Sequence, residues 1–322
     1  MTGASRGLGK GIALGLAEAG ALVYATARTV RASGDSASPG SLEETAAAIE
    51  GLGGTCVPVA VDHLDDGQVA ALYERIRVDQ QGQLDLLVNN AFAGVLALRR
   101  AAGGTFWQSE PDLWDACHGV GLRSHYVASV MAARLMVERG RGLICSVSSW
   151  GGLLPLFGPA YGTGKAAVDR LMAECARELR PHGIAAVAIW PGIVGTERIQ
   201  RFVEEQDAAS EADQAELGVA GSAIWSGDRF NWETPLLTGR AIAALAADPD
   251  RMRATGKVRV VAELARRYGV CQEDGHRPAS LRSLRFVLPY RWPSLRRQAR
   301  WLPDLLLPWP LLLLGALPSP RT

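Results

Sequence analysis

Thr2-Gly3-Ala4-Ser5-Arg6-Gly7-Leu8-Gly9 opens the chain, and a strand-like run, Leu22-Val23-Tyr24-Ala25, follows after a helical interval. The spacing predicts a tight turn at Gly3, a backbone able to approach a phosphate at Gly7, and close packing of a helix at Gly9. That helix, expected over about Gly7 to Ala19, aims its N-terminus at a pyrophosphate, with the Leu8 amide inside the phosphate turn. A glycine triplet alone also makes ordinary surface turns. The strand that follows moves the reading towards nucleotide binding.

Working outward, apolar strand-like runs alternate with helical stretches, the pattern of βαβ units and a parallel sheet. Strands are expected at 21–27, 56–61, 85–89, 142–148 and 184–190, with a weaker one near 257–261. Helices are expected at 8–19, 41–52, 66–79, 111–139 and 161–180, with Gly20, Gly53-Gly54, Gly140 and Gly183 where helices should stop. Right-handed crossovers then give a doubly wound, mostly parallel α/β sheet of the Rossmann type, helices on both faces.

A chain of 322 residues, 48% of them hydrophobic, can bury one large core. The expected organisation is one domain over 1–275 and a tail over 276–322. A net charge of +1 provides no whole-molecule field for nucleic acid. Cys56, Cys117, Cys145, Cys175 and Cys271 show no paired spacing, and no N-terminal signal peptide is expected. They read as free thiols in a reducing, cytoplasmic setting. The five histidines form no ligand pattern, so no metal is expected.

The chemistry centres on Tyr161-Gly-Thr-Gly-Lys165. Residues four apart on a helix are neighbours on one face. A lysine cation beside a phenol stabilises the phenolate and lowers its pKa, so that Tyr161 can exchange a proton with a carbonyl or alcohol oxygen. The spacing is common by chance, but a serine pair, Ser148-Ser149, lies a short loop upstream.

Taken in order, Thr2-Gly3-x-x-x-Gly7-x-Gly9, Asn89-Asn90-Ala91, Ser149, Tyr161-x-x-x-Lys165 and Pro191-Gly192 resemble the short-chain dehydrogenase/reductase family, over about Thr2 to Gly269. The stretches Val88–Gly94, Val120-Gly121-Leu122-Arg123 and Leu264–Gly269 resemble one branch of it and its bacterial relatives. The resemblance implies a nicotinamide cofactor and a small carbonyl or alcohol substrate, with steroid, prostaglandin-like and xenobiotic carbonyls suggested by the branch. It implies Tyr161 as proton donor and acceptor. Lys165 lowers the tyrosine pKa and reaches the nicotinamide ribose, and Ser149 bonds the substrate oxygen, with Ser148 its competitor. It also implies Asn90 at the cofactor ribose, Asp62 at the adenine amine and Thr196 at the nicotinamide amide or diphosphate. For Asp62, capping of the next helix is the other reading. Dimers or tetramers are common in the resembled family, so a homo-oligomer is expected.

Cofactor choice turns on the end of the strand expected at 21–27, the second strand of the resembled family. Thr26-Ala27-Arg28 lacks the acid that would bond a ribose 2′-hydroxyl, and Arg6 sits in the glycine turn. Two guanidinium groups favour a 2′-phosphate, so NADP(H) is expected over NAD(H), which stays open. A solvated loop charge is the other reading of Arg28. The polar loop 29–40 is expected near the adenosine end.

Four features depart from the pattern or extend it. Only Met1 precedes Thr2, where the resembled family has a central strand; two neighbours would lose their ladder partner, and we expect the true start to lie upstream or the chain to fold poorly. Gly121 stands where many members place an asparagine that holds a relay water; either the backbone or His118 takes that role, or the relay is altered. Residues 197–235 read as a lid or as a surface insertion. Finally, the tail carries eight arginines and one acid, Asp304, from His276 onward. Leu295, Ala299 and Leu302 are expected on one helical face, opposite Arg296, Arg297 and Arg300. Its proline-broken apolar run is too short to span a bilayer, leaving a peripheral anchor on anionic lipid or packing against the body or a dimer partner. A nucleotide-binding, membrane-attached interaction protein with little turnover is the alternative function.

Overall fold

The computed structural model describes residues 1–31, 40–207 and 229–316. Strand β1 (Leu22–Ala27) pairs in parallel with β2 (Thr55–Ala60). Strands β3 (Leu86–Asn89), β4 (Gly142–Val147), β5 (Ile184–Trp190) and β8 (Val258–Val260) pair in that order, also in parallel. Short β6 (Ile193–Val194) and β7 (Trp232–Glu233) form a separate ladder just beyond the carboxyl end of β5.

Helices α1 (Gly7–Glu18), α2 (Leu42–Gly51), α9 (Pro235–Ala247) and α10 (Val261–Tyr268) pack on one face of this sheet. Helices α3 (Asp66–Asp79), α6 (Ser124–Arg139) and α7 (Pro159–Leu179) pack on the other. Strand β5 shows why both faces are dry. Ala185, Val187 and Ile189 enter the first layer and Ile184, Ala186 and Ala188 the second. A strand buried on both sides must be apolar throughout, as 184–190 is.

Between β1 and β3 the ladder is kept only near the carboxyl ends. Thr26 N–H donates to Met1 O, Ala4 N–H to Thr26 O and Thr2 N–H to Val88 O, each at 3.0 Å. Residues Met1–Ala4 therefore bridge the sheet where the glycine turn needs support. Lower down, Leu22 at the start of β1 is exposed.

The helix expected over 111–139 is broken. Helix α5 (Asp112–His118) gives way to an irregular turn, with Val120 at φ −106°, ψ 96° and Gly121 at φ 150°, ψ −27°, before α6 begins. A Cβ at Gly121 would lie 2.6 Å from the Phe92 ring, so the missing side chain lets Phe92 close in. Val120 O accepts from Ala93 N–H at 3.0 Å and stitches the kink to the loop after β3.

After α8 (Glu197–Asp207), most of the lid expected over 197–235 falls on 208–228, outside the described residues, as does 32–39 of the polar loop. The tail packs onto the body through α11 (Leu284–Arg291), a 3₁₀ segment at Pro293–Trp301 and α12 (Trp309–Ala316). Phe286 and Leu281 share an apolar cluster with Trp190, Ile193 and Val260. Arg297 and Arg300 are exposed as expected, but Arg296 departs from the expected partition. At three residues per turn Arg296 falls on the face of Ala299, and its guanidinium lies 5.5 Å from the Phe230 ring centroid.

Candidate active site

Helix α1 begins at Gly7 with φ 53°, and its N-cap, Arg6, makes no side-chain capping bond; no acid lies in the first turn. The positive end of the helix is thus left for an anion. A Cβ on Gly9 would sit 1.9 Å from Gly3 O, so only glycine lets the turn and helix meet this closely. Asn90 holds the turn from β3, its amide donating to Thr2 O and Gly3 O at 3.1 Å.

One cavity of about 1560 Å³ runs from this turn to Tyr161. Gly3, Arg6, Gly7, Leu8, Gly9, Arg28, Asp62, Asn90, Ser149, Tyr161, Lys165 and Thr196 all line it, so every residue singled out for the site opens onto one space. Arg6 lies close to Arg28, and burial, then the repulsion of Arg28, hold its guanidinium below the usual value. Arg6 Nε is buried without a hydrogen-bond partner. Asp62 is not a helix cap: its carboxylate accepts from Leu64 N–H at 3.0 Å, while Asp65 caps α3 through Gln68 N–H. The Thr196 methyl lies near Gly7, and its hydroxyl accepts from Ile199 N–H at 3.4 Å.

At the other end, the two serines point to different neighbours. Ser148 Oγ donates to Lys165 O at 3.0 Å, inside the wall of α7. Ser149 accepts from Gly151 N–H at 3.1 Å and hydrogen-bonds Tyr161. A Cβ on Gly151 would meet the Tyr161 ring at 2.8 Å, so this glycine permits the approach.

Lys165 is buried, donates to Val147 O at 3.2 Å and stands 4.8 Å from the Phe92 ring centroid and 5.7 Å from that of Tyr161. Burial pulls it down to about 8, against the opposing pull of Asp169. The expectation that Lys165 depresses the Tyr161 pKa needs correction. Burial pushes that phenol up to about 12, with only the Ser149 bond working the other way. Phe92 and Phe157 pack edge-on against the ring at 5.9 and 5.2 Å, so apolar rings surround much of the phenol and disfavour its charged form. Phe157 holds a φ of 55°, uncommon for an aromatic residue, in the loop before α7.

Several groups around the site carry no motif. Asp169, one turn beyond Lys165, accepts from Trp190 Nε1 at 3.0 and 3.2 Å and bonds Ser148. Burial raises this carboxyl to about 6. Glu233, 1% exposed, accepts from Gly192 N–H at 2.8 Å and is raised to about 7 by burial. The helical register from Tyr161 through Lys165 could have flagged Asp169; nothing local marks Glu233. His118 stacks on Trp114 at 3.7 Å and shares a hydrogen bond with Trp114 O through Nδ1. Among the described residues no cluster of potential metal ligands is found.

The family pattern described as short chain dehydrogenase matches residues 1–207. The dehydrogenase/reductase SDR family member 1 of Mus musculus is 43% identical over 288 residues, 89% of this chain and 87% of that protein. The Homo sapiens protein of the same name is 40% identical over 311 residues, 94% of each. A metagenomic short-chain oxidoreductase solved in complex with NADP matches with a TM-score of 0.52 and 33% identity, over 59% of this chain and 80% of that one. The L-sorbose reductase of Gluconobacter frateurii, solved with NADPH and L-sorbose, shares the fold with a TM-score of 0.66 at 23% identity, over 81% and 92%.

Proposed function

The chain belongs to the short-chain dehydrogenase/reductase family and is an NAD(P)-dependent oxidoreductase, and on that footing we propose that it interconverts carbonyls and secondary alcohols with a preference for NADP(H). One observation carries the reading. The hydroxyls of Ser149 and Tyr161 meet in a cavity whose far end is the uncapped N-terminus of α1.

The residues present fit a dinucleotide. Amides of the Gly3–Gly9 turn would hold the diphosphate beside Thr196, and Asn90 and Lys165 the riboses. Asp62 would take the adenine amine. The adjacent guanidinium groups of Arg6 and Arg28, with Arg6 Nε unpartnered, favour a 2′-phosphate. Bound there, NADP(H) supplies the hydride.

The chain's own work is proton transfer and orientation. Tyr161 Oη gives its proton to the substrate oxygen in reduction and takes it back in oxidation. Ser149 Oγ bonds that oxygen and polarises the carbonyl. With the phenol raised to about 12, Tyr161 starts as a proton donor. The buried Lys165 ammonium answers the charge left behind, and Asp169 keeps it protonated. Phe92, Trp150, Phe157 and Tyr290 line the substrate end and suit apolar carbonyls such as steroids or xenobiotics.

The test is NADPH oxidation with a panel of ketones. Tyr161→Phe is expected to lose turnover by about 100- to 10,000-fold with NADPH affinity retained. Full activity of that variant overturns the assignment of Tyr161 as the proton donor. NADPH binding without any turnover favours a nucleotide-binding interaction protein instead. A second part of the proposal is a peripheral contact with anionic lipid. Trp301 and Leu305 are 76% and 60% exposed beside Arg297 and Arg300, although no helix among the described residues is long and apolar enough to cross a membrane. Equal sedimentation with anionic and neutral vesicles would remove it.

A further inference from the structure

We propose that the C-terminal segment forms a wall of the active site, with Tyr290 a specificity-determining residue that selects apolar carbonyl compounds by their bulk. Trp150 follows Ser149 directly in sequence. Its ring packs edge-on against Tyr290 at 5.1 Å and against Phe286 at 5.8 Å. Tyr290 lines the same cavity as Ser149 and Tyr161, together with Arg291 and Pro293. Thus a side chain from the far end of the sequence lines the cleft against the residue that follows Ser149.

The position of Tyr290 is set by what lies behind it. Phe286, one helical turn earlier, is 1% exposed and stacks on Tyr290 at 5.4 Å and on Phe230 at 6.1 Å. The start of α11 is pinned as well. Ser283 accepts from Arg285 N–H and donates to Asp304 at 2.6 Å. Arg282 grips Glu263 through two nitrogens at 2.8 and 2.7 Å and lies over the Trp309 ring at 4.5 Å. Trp309 in turn meets Trp190, whose indole bonds Asp169 on the helix of Tyr161 and Lys165. A wall held at so many points resists displacement by a larger substrate, so the Trp150–Tyr290 pair beside Ser149 limits what fits. Aromatic rings on that wall recognise an apolar body and offer little to a polyhydroxylated one.

This rests on the reading of the chain as a carbonyl-reducing enzyme, so binding is measured apart from turnover. The full chain is saturated with NADP⁺, which permits no reduction, and dissociation constants are taken for cyclohexanone and for the bulkier 4-phenylcyclohexanone. Tyr290→Ala is expected to improve the bulky ketone relative to the slim one by about tenfold, the scale on which pockets discriminate apolar groups. Tyr290→Trp is expected to shift the ratio the other way, with NADPH affinity unchanged in both. A ratio that stays constant in both variants overturns the wall, as does a native chain that binds neither ketone. Native discrimination that responds to Tyr290 without any NADPH oxidation supports the wall and overturns the enzymatic reading alone.

Discussion

The glycine turn at Gly3–Gly9 and the C-terminal segment after Leu281 both line one cavity, yet they are built by opposite means. The turn is one short peptide. Its function lies in backbone amides and in side chains that are absent, and it has no slack, since a Cβ at Gly9 would lie 1.9 Å from Gly3 O. The segment works through aromatic and ionic contacts to residues far away in sequence, such as Trp150 with Tyr290 and Glu263 with Arg282. Backbone sites tolerate almost no substitution, whereas side-chain clusters lose their function in increments.

Gly9→Ala offers the hardest blow to that contrast. Overpacking against Gly3 O and Asn90 is expected to cost about 3 kcal/mol or more and to abolish NADPH binding, read by calorimetry and thermal melting. Native-like binding in this variant would show that the turn is not the rigid region.

Glu233 lies where the two regions meet: its carboxylate holds Gly192, and neighbouring Thr234 bonds Gln272 and Glu273. Its folded pKa is raised from 4.5 to about 7, so its contribution to stability is fully present below about 4.5 and is lost as pH rises through 7. Glu233→Gln keeps an acceptor for Gly192 N–H. It is expected to match the native melting temperature near pH 4.5 and to be more stable by at most about 3 kcal/mol at pH 8. A constant offset across pH would mean that the carboxyl is not desolvated.

Arg282→Ala removes a partly buried fork and is expected to cost about 2 kcal/mol in a urea titration while leaving NADPH affinity intact. A parallel loss of cofactor binding would mean that the two regions fold as one unit.

The mildest test is electrostatic. The chain has only three lysines, Lys10, Lys165 and Lys257, so ¹³C-labelled lysine resolves each side chain by NMR. Asp169→Asn is expected to lower the Lys165 titration from about 8 by about one further pH unit, with the alkaline limb of kcat/KM moving with it. An unmoved Lys165 would leave Asp169 as packing for Trp190.

Strands β1–β5 and β8 were legible to within one residue at each end, most plainly β4 and β5, which are buried on both faces and must be apolar throughout, whereas the two-residue β6 and β7 carry no run long enough to read. Helix 111–139 misled for a related reason. Its composition suits a helix on either side of Gly121, and the break is imposed by Phe92 and Ala93 from another part of the chain. Asp62 was ambiguous until the turn geometry assigned the cap to Asp65. The lowered tyrosine pKa was misjudged because spacing reveals a neighbouring charge but not the desolvation that opposes it.

From its residues alone the chain settles its alternating α/β architecture, its family and the glycine, serine, tyrosine and lysine positions, because these depend on local spacing along a strand, a turn or one helix. Which serine turns to Tyr161, how far burial outweighs the lysine, and that Tyr290 reaches the cleft were decided only by folding. Those properties depend on the distance and solvent between groups that tertiary packing alone brings together.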